Sequence, residues 1–377
     1  MQIKRHITKD LIEKIKSSNK GIVLYGARQV GKTTLVNEII NNLHLKTLMV
    51  DGDQSKYMDI FSSRNLEKIK SLVSGFDLLF IDEAQRIPEI GINLKIIFDN
   101  IPTLKVIVTG SSSLDLASQI REPLTGRVWT YHLYPISLLE LSKTHNRFQL
   151  SSQLDDLLVY GLYPELFSFQ TLKEKEEYLI NLADAYLYKD LLAFEGLKNS
   201  VRIRDLLKLL AFQIGSQVSL SELGRSLSMS KETVAKYIDF LEKSSVLMRL
   251  KGFSRNLRKE IVKMDKIYFV DLGIRNILIG NTKPLTDRND IGQLWENFLI
   301  VERTKSNAYL GRNVSQYFWR TYTGAELDYI EEGDGALTGF EFKYGDKVRS
   351  APNGWVGAYP EAGYQCINAS SYLDFLL

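Results

Sequence analysis

Gly26-Ala27-Arg28-Gln29-Val30-Gly31-Lys32-Thr33 follows the apolar run Gly21–Tyr25 and leads into a helical pattern, Thr34–Asn41. The octapeptide meets every fixed position of G-x-x-x-x-G-K-[ST], and strand, loop and helix stand in the order that motif needs. Its chemistry is that of a phosphate cradle. Glycines let successive backbone N–H groups curl around phosphate oxygens, and the helix N-terminus adds a positive field. Gly26, Ala27, Arg28, Gln29, Val30, Gly31, Lys32, Thr33 and Thr34 are therefore the candidate nucleotide contacts. Lys32 reaches the β- and γ-phosphates and the Thr33 hydroxyl ligates Mg²⁺.

A second stretch belongs with the first. Asp77-Leu78-Leu79-Phe80-Ile81-Asp82-Glu83 reads as an apolar strand that ends in two acids. A carboxylate at that strand end suits Mg²⁺, which is the expected role of Asp82. Glu83 beside it is placed to polarise an attacking water, which turns binding into hydrolysis. Taken alone, the pair also reads as a helix cap. A third run, Lys105–Thr109, enters Gly110-Ser111-Ser112-Ser113. Thr109, Ser111 and Ser112 are candidate γ-phosphate sensors; an ordinary serine cap before Leu114 is the alternative. Arg127, in Leu124-Thr125-Gly126-Arg127, is a candidate arginine finger acting in trans, with Arg121 as a second candidate, or simply a surface arginine in a loop.

The short runs Gly21–Tyr25, Thr47–Val50, Asp77–Ile81 and Lys105–Thr109 alternate with helical patterns, the mark of buried parallel strands in an α/β domain. With 377 residues, two or three domains are expected. Boundaries fall near 150, 200 and 285: an α/β domain over 1–150, a helical linker or lid over 151–200, a helix-plus-hairpin domain over 201–284 and a small α/β domain over 285–377. A net charge of +3 is too small for any global attraction to nucleic acid. One cysteine, Cys366, permits no internal disulfide, and four histidines offer no His-rich metal site. The start carries no apolar core of signal-peptide length, and no stretch approaches the roughly 20 apolar residues of a membrane helix, so a soluble cytoplasmic protein is expected.

The loop Gly26–Thr34, Phe80-Ile81-Asp82-Glu83-Ala84-Gln85, Val108-Thr109-Gly110-Ser111-Ser112 and Leu124-Thr125-Gly126-Arg127 followed by Tyr134-Pro135-Ile136-Ser137 together resemble an AAA-type P-loop ATPase. More narrowly, the chain resembles a large prokaryotic group in which such an ATPase precedes a winged-helix region and a nuclease-like C-terminal domain. Gly161-Leu162-Tyr163-Pro164-Glu165 and Tyr188-Lys189-Asp190 look like that group's helical linker. The resemblance implies ATP, Mg²⁺ and a homo-oligomer formed through the ATPase domain.

Within 201–284, Ser219–Ser228 and Ser230–Lys243 read as two short helices joined by a tight turn. Ser219 with Glu222 makes a capping-box pattern, and Ser230 is the expected cap of the second helix. Val234, Ile238 and Leu241 form its buried stripe, while Lys231, Thr233, Lys236 and Lys243 face outward. Val246–Gly252 and Val262–Val270 alternate as a hairpin whose tip holds Arg255, Arg258 and Lys259. Helix, turn, helix and basic wing describe a winged helix. Residues 201–265 hold 13 Lys+Arg against 7 Asp+Glu, a local net of +6. That excess suits phosphate contacts with DNA; a packing module is the alternative.

In the last block, Glu296 lies on a helical stretch, Asp328 in the strand-like Ala325–Ile330, and Glu341 with Lys343 in Gly339-Phe340-Glu341-Phe342-Lys343. A hairpin brings Asp328 beside Glu341, and period-two alternation sets Glu341 and Lys343 on one face. Two such carboxylates make a hard-oxygen site for Mg²⁺ or Mn²⁺. The order helix Glu, strand Asp, strand Glu-x-Lys resembles the PD-(D/E)XK nuclease superfamily, with Leu327 where a proline often stands. An active nuclease, a degenerate fold used for binding, and a plain surface hairpin all remain open. The leading expectation is an ATPase acting with DNA. A nucleotide-switched scaffold and an ATP-gated metal-dependent nuclease are its rivals.

Overall fold

The computed structural model describes residues 3–110, 124–184, 200–255, 265–322 and 324–377. They divide into two compact units, 2–135 with 243–245, and 136–242 with 246–377.

The first unit is an α/β layer structure. Its strands β1 (Gly21–Tyr25), β2 (Thr47–Asp51), β3 (Leu78–Asp82), β4 (Lys105–Gly110) and β5 (Val128–His132) form one sheet in the order β2-β3-β4-β1-β5. Every neighbouring pair in it is parallel. Helix α1 (Thr8–Ser17) precedes β1, and α2 (Lys32–Leu43), α3 (Ser55–Phe61), α4 (Leu66–Val73) and α5 (Ile90–Asn100) lie in the connections from β1 to β4. Strands this short and apolar need cover on both faces. Val23, Leu79, Ile81, Val106 and Val108 accordingly pack against Ile90, Leu94 and Ile97 of α5 in a closed core. Each such side chain contributes roughly 1.5–3 kcal/mol by leaving water. The four strands read from the sequence are present within a residue of their expected ends. β5 is an addition. Its residues are partly or fully exposed, so Val128-Trp129-Thr130-Tyr131-His132 shows no continuous apolar run.

The second unit opens with helices α6 (Leu138–Leu141), α7 (Arg147–Ser152), α8 (Leu154–Tyr160) and α9 (Leu172–Leu182). There follow α10 (Ser200–Phe212), α11 (Leu220–Leu227), α12 (Lys231–Lys243), β6 (Leu247–Gly252), β7 (Lys266–Phe269), α13 (Leu272–Leu278) and α14 (Ile291–Tyr309). The chain closes with β8 (Ser315–Arg320), β9 (Glu326–Gly333), β10 (Ala336–Phe342), α15 (Asn353–Ala358), β11 (Gly363–Ile367) and α16 (Tyr372–Leu376). The hairpin expected over 246–270 is the antiparallel pair β6–β7, with Leu247 opposite Phe269. It does not stand apart. β6 runs parallel to β8 through Lys251 opposite Tyr317, so a single sheet, β11-β10-β9-β8-β6-β7, spans the expected boundary near 285. Phe253, Trp319, Leu327, Ile330 and Trp355 make the core on one side of it.

Candidate functional sites

The loop between β1 and α2 is shaped by two left-handed residues, Gln29 at φ 60° and Gly31 at φ 94°. An L side chain resists that region, which is why glycine at 31 matters. Gly26 is required for a different reason: a Cβ there would lie 2.3 Å from the Leu133 carbonyl oxygen. Lys32 opens α2 and is only 5% exposed. Its ammonium turns back into the loop and donates to the carbonyls of Gly26 and Ala27, both at 3.0 Å. The charge thus stands against the backbone of the loop that phosphates would contact.

Because β4 lies between β1 and β3, the C-terminal ends of all three strands meet beside this loop. Asp82, at the end of β3, is the hub. Its Oδ2 accepts the Thr33 hydroxyl at 2.7 Å, and its Oδ1 accepts the Thr109 hydroxyl and, at 3.1 Å, the Glu83 N–H. Both hydroxyls are neutral partners, and Thr33 with Asp82 forms the hard-oxygen pair that suits Mg²⁺. Glu83 sits at φ 50°, and its carboxylate accepts from the Gln85 side-chain amide. Lys32, Thr33, Asp82, Glu83 and Thr109 are therefore together. Ser111, Ser112 and Arg121 lie outside the described residues.

Arg127 is elsewhere. Its carbonyl accepts from Gly21 N–H at the start of β1, whereas the loop leaves the other end of that strand, about 16 Å of chain away. Its guanidinium pairs with Asp99 at 2.8 Å. Within its own chain it does not reach the loop.

Three supports of the site carry no motif. Buried Arg5 donates to the Val30 carbonyl at 2.8 Å and the Tyr134 carbonyl at 2.5 Å, bracing the loop against the segment after β5. Gly52 donates its N–H to the Asp82 carbonyl at 2.9 Å, and a Cβ on it would stand 2.5 Å from the Glu83 carbonyl oxygen. His132, beside the loop, is pushed down to about 4 by burial and by the charge of Lys32, so it is neutral at pH 7.

In the second unit, α11 and α12 form the expected helix–turn–helix. The Ser219 hydroxyl accepts from Glu222 N–H at 3.3 Å, and Ser230 caps α12 through Thr233 N–H at 3.1 Å. The turn is close-packed at Gly224, where a Cβ would meet the Met229 carbonyl at 2.8 Å. Val234, Ile238 and Leu241 are buried; Lys231, Lys236 and Lys243 are exposed and Thr233 is partly so. Arg255 is exposed and lies over the Tyr359 ring at 5.6 Å. Arg258 and Lys259 are outside the described residues, as is Tyr188-Lys189-Asp190.

The C-terminal carboxylates converge as well. Glu296 from α14, Asp328 from β9, and Glu341 with Lys343 from β10 line a recess of about 550 Å³. Lys343 pairs with Glu341 at 2.7 Å, and the Phe342 N–H donates to Asp328 at 2.8 Å. The sequence reading omitted Lys266, from β7, and Glu326. The Lys266 ammonium lies 3.0 Å from Glu296 and 2.6 Å from Glu326. Burial, then Glu296 and Glu341, push the Asp328 carboxyl up to about 8, with Lys266 and the Phe342 N–H acting against them. Among the described residues no three His, Cys, Asp or Glu side chains close on a common point at metal-holding range. As placed, these residues do not fit a divalent ion.

Three families match the chain: an AAA domain over residues 18–142, and domains of unknown function over 151–285 (DUF8612) and 291–359 (DUF4143). An uncharacterized protein of Mycobacterium tuberculosis is 30% identical over 325 residues, covering 85% of this chain and 70% of that one. The chain belongs to that protein's family. An uncharacterized protein of Methanocaldococcus jannaschii is 23% identical over 336 residues, covering 84% of this chain and 73% of its own. Among solved structures, a Walker-type ATPase of Pyrococcus abyssi is similar at a TM-score of 0.48 and 16% identity, over 74% of this chain and 96% of its own. In this family member, the AAA match encloses the loop, Asp82, Glu83 and Thr109, and the first unit is an AAA-type P-loop ATPase domain. Among the described residues, no helix is long and apolar enough to cross a membrane.

Proposed function

We propose that the protein hydrolyses ATP with Mg²⁺ at the Lys32–Asp82 site and couples turnover to contact with DNA through the α11–α12 face. The observation that carries the first half is the Asp82 carboxylate bridging the Thr33 and Thr109 hydroxyls beside the Lys32 ammonium. Lys32 and the loop N–H groups bind and orient the triphosphate. Thr33 and Asp82 would hold Mg²⁺, which offsets phosphate charge when bound. Glu83 takes the part of the base that orients water, with Gln85 fixing its carboxylate. Arg127 would act on a neighbouring subunit's nucleotide only after leaving Asp99.

The second half rests on charge. Residues 201–265 carry the +6 excess, and Lys231, Lys236 and Lys243 display it on one helix. Binding through phosphate contacts should fall steeply with salt. The test is Mg²⁺-dependent ATP turnover measured with and without duplex DNA at two salt concentrations. Turnover that is lost in Lys32→Ala, rises with DNA, and ceases to rise in the Lys231→Glu/Lys236→Glu double variant is expected. Turnover surviving Lys32→Ala sinks the site assignment. Indifference to DNA leaves the nucleotide-switched scaffold, a reading that Lys266 amid the C-terminal carboxylates also favours.

A further inference from the structure

We infer that Lys266 is the built-in counter-ion of the C-terminal recess and occupies the place a divalent cation would need. Glu296, Glu326 and Asp328 come from α14 and β9, and Lys266 reaches Glu296 and Glu326 from β7, with β8 and β6 lying between β9 and β7 in the same sheet. Its side chain is 3% exposed, with Nζ 3.0 Å from Glu296 and 2.6 Å from Glu326. The oxygen of Glu296 that receives it also accepts the Tyr268 hydroxyl at 2.6 Å. Glu341 is held by Lys343 at 2.7 Å and Arg349 at 3.5 Å. Each carboxylate of the recess therefore already has a cation or N–H donor of this chain.

A buried ammonium cannot share that space with a second cation. Its removal would strand the carboxylates without a partner. The ion cluster ties β7 to β9 and α14. On this assignment the recess has the outline of a metal-dependent nuclease site, but its cation is a side chain, and metal-assisted phosphodiester hydrolysis is not its chemistry. The inference is independent of ATP turnover.

The experiment is a Mn²⁺ titration of the nucleotide-free full-length chain, followed by electron paramagnetic resonance. Wild type, Asp328→Asn, Lys266→Met and the Lys266→Met/Asp328→Asn double variant are compared; any P-loop contribution is common to all four. Wild type and Asp328→Asn should superimpose. Lys266→Met should gain one site, at least about tenfold tighter than anything in wild type, and the double variant should lose it. Mn²⁺ binding by wild type that disappears in Asp328→Asn overturns the inference, and so does a folded Lys266→Met with no new site. If Lys266→Met does not melt cooperatively, Lys266→Gln serves in its place. If neither folds, the wild-type and Asp328→Asn pair still decides.

Discussion

Replacing Arg5 by alanine should damage the nucleotide site from a distance. Its guanidinium makes two charge-assisted hydrogen bonds to carbonyls, at 2.8 Å to Val30 inside the loop and 2.5 Å to Tyr134 after β5. The residue is 7% exposed, so water cannot fully replace either bond. A hydrogen bond from a charged donor contributes about 1.5–3 kcal/mol. Two of them, taken at the lower end because the loop can relax, amount to about 3 kcal/mol. At about 2–4 °C per kcal/mol, the melting temperature should fall by about 6–12 °C. Val30 immediately precedes Gly31 and Lys32, so freeing its carbonyl also loosens the cradle. Affinity for a non-hydrolysable ATP analogue, measured by calorimetry, should drop by about tenfold or more. Arg5→Lys, which keeps the charge and one donor direction, should recover part of both losses. An Arg5→Ala protein that melts with wild type and binds the analogue within twofold would refute the brace.

Glu83→Gln should keep ATP binding and lose turnover by about 10²–10⁴-fold in a coupled phosphate-release assay; unchanged turnover removes Glu83 from the chemistry. Gly52→Ala places a Cβ 2.5 Å from the Glu83 carbonyl. It should lower kcat more than it raises KM and cost about 1–3 kcal/mol in a denaturant melt. The pH dependence turns on His132, held down at about 4. Between pH 6.5 and 4 the unfolded chain takes up a proton that the folded chain refuses. Stability present above pH 6.5 is therefore lost as pH falls towards 4, by at most about 3 kcal/mol because the ring keeps some solvent access. His132→Phe should flatten that part of a stability-against-pH curve, and an unaltered slope would exclude the residue.

The parts of the site that were legible in the sequence are those whose partners lie within one local pattern. Gly26, Gly31, Lys32 and Thr33 declare themselves by spacing. Asp82 and Glu83 do so by ending an apolar strand. Arg5 does not, because it is a lone arginine in a polar start whose two acceptors are backbone carbonyls 25 and 129 residues away. Gly52 reads as a turn glycine until β2 is seen beside β3. β5 escaped because an edge strand with half-exposed residues lacks the apolar run that betrays buried ones. Lys266 escaped for a topological reason. A lysine in a hairpin strand suggests solvent, and only the parallel pairing of β6 with β8, across more than sixty residues of chain, carries it to the carboxylates of β9.

The two carboxylate sites differ in what already occupies their oxygens. At Asp82 the occupants are the hydroxyls of Thr33 and Thr109 and one N–H, all neutral. A divalent ion approaching Asp82 meets attraction on one side and dipoles that can rotate on the other. At Glu296 and Glu326 the occupant is an ammonium tethered through its own strand. A divalent ion brought within about 4 Å of it faces repulsion on the order of 8 kcal/mol at an effective dielectric of about 20. One carboxylate at the same distance returns only about that much, so the ammonium cancels the attraction of one carboxylate, and burial with Glu296 and Glu341 nearby raises the Asp328 carboxyl and weakens its own pull. On the assignment inferred for Lys266, the C-terminal recess holds its sheet together and the divalent ion is left to the proposed Lys32–Asp82 site.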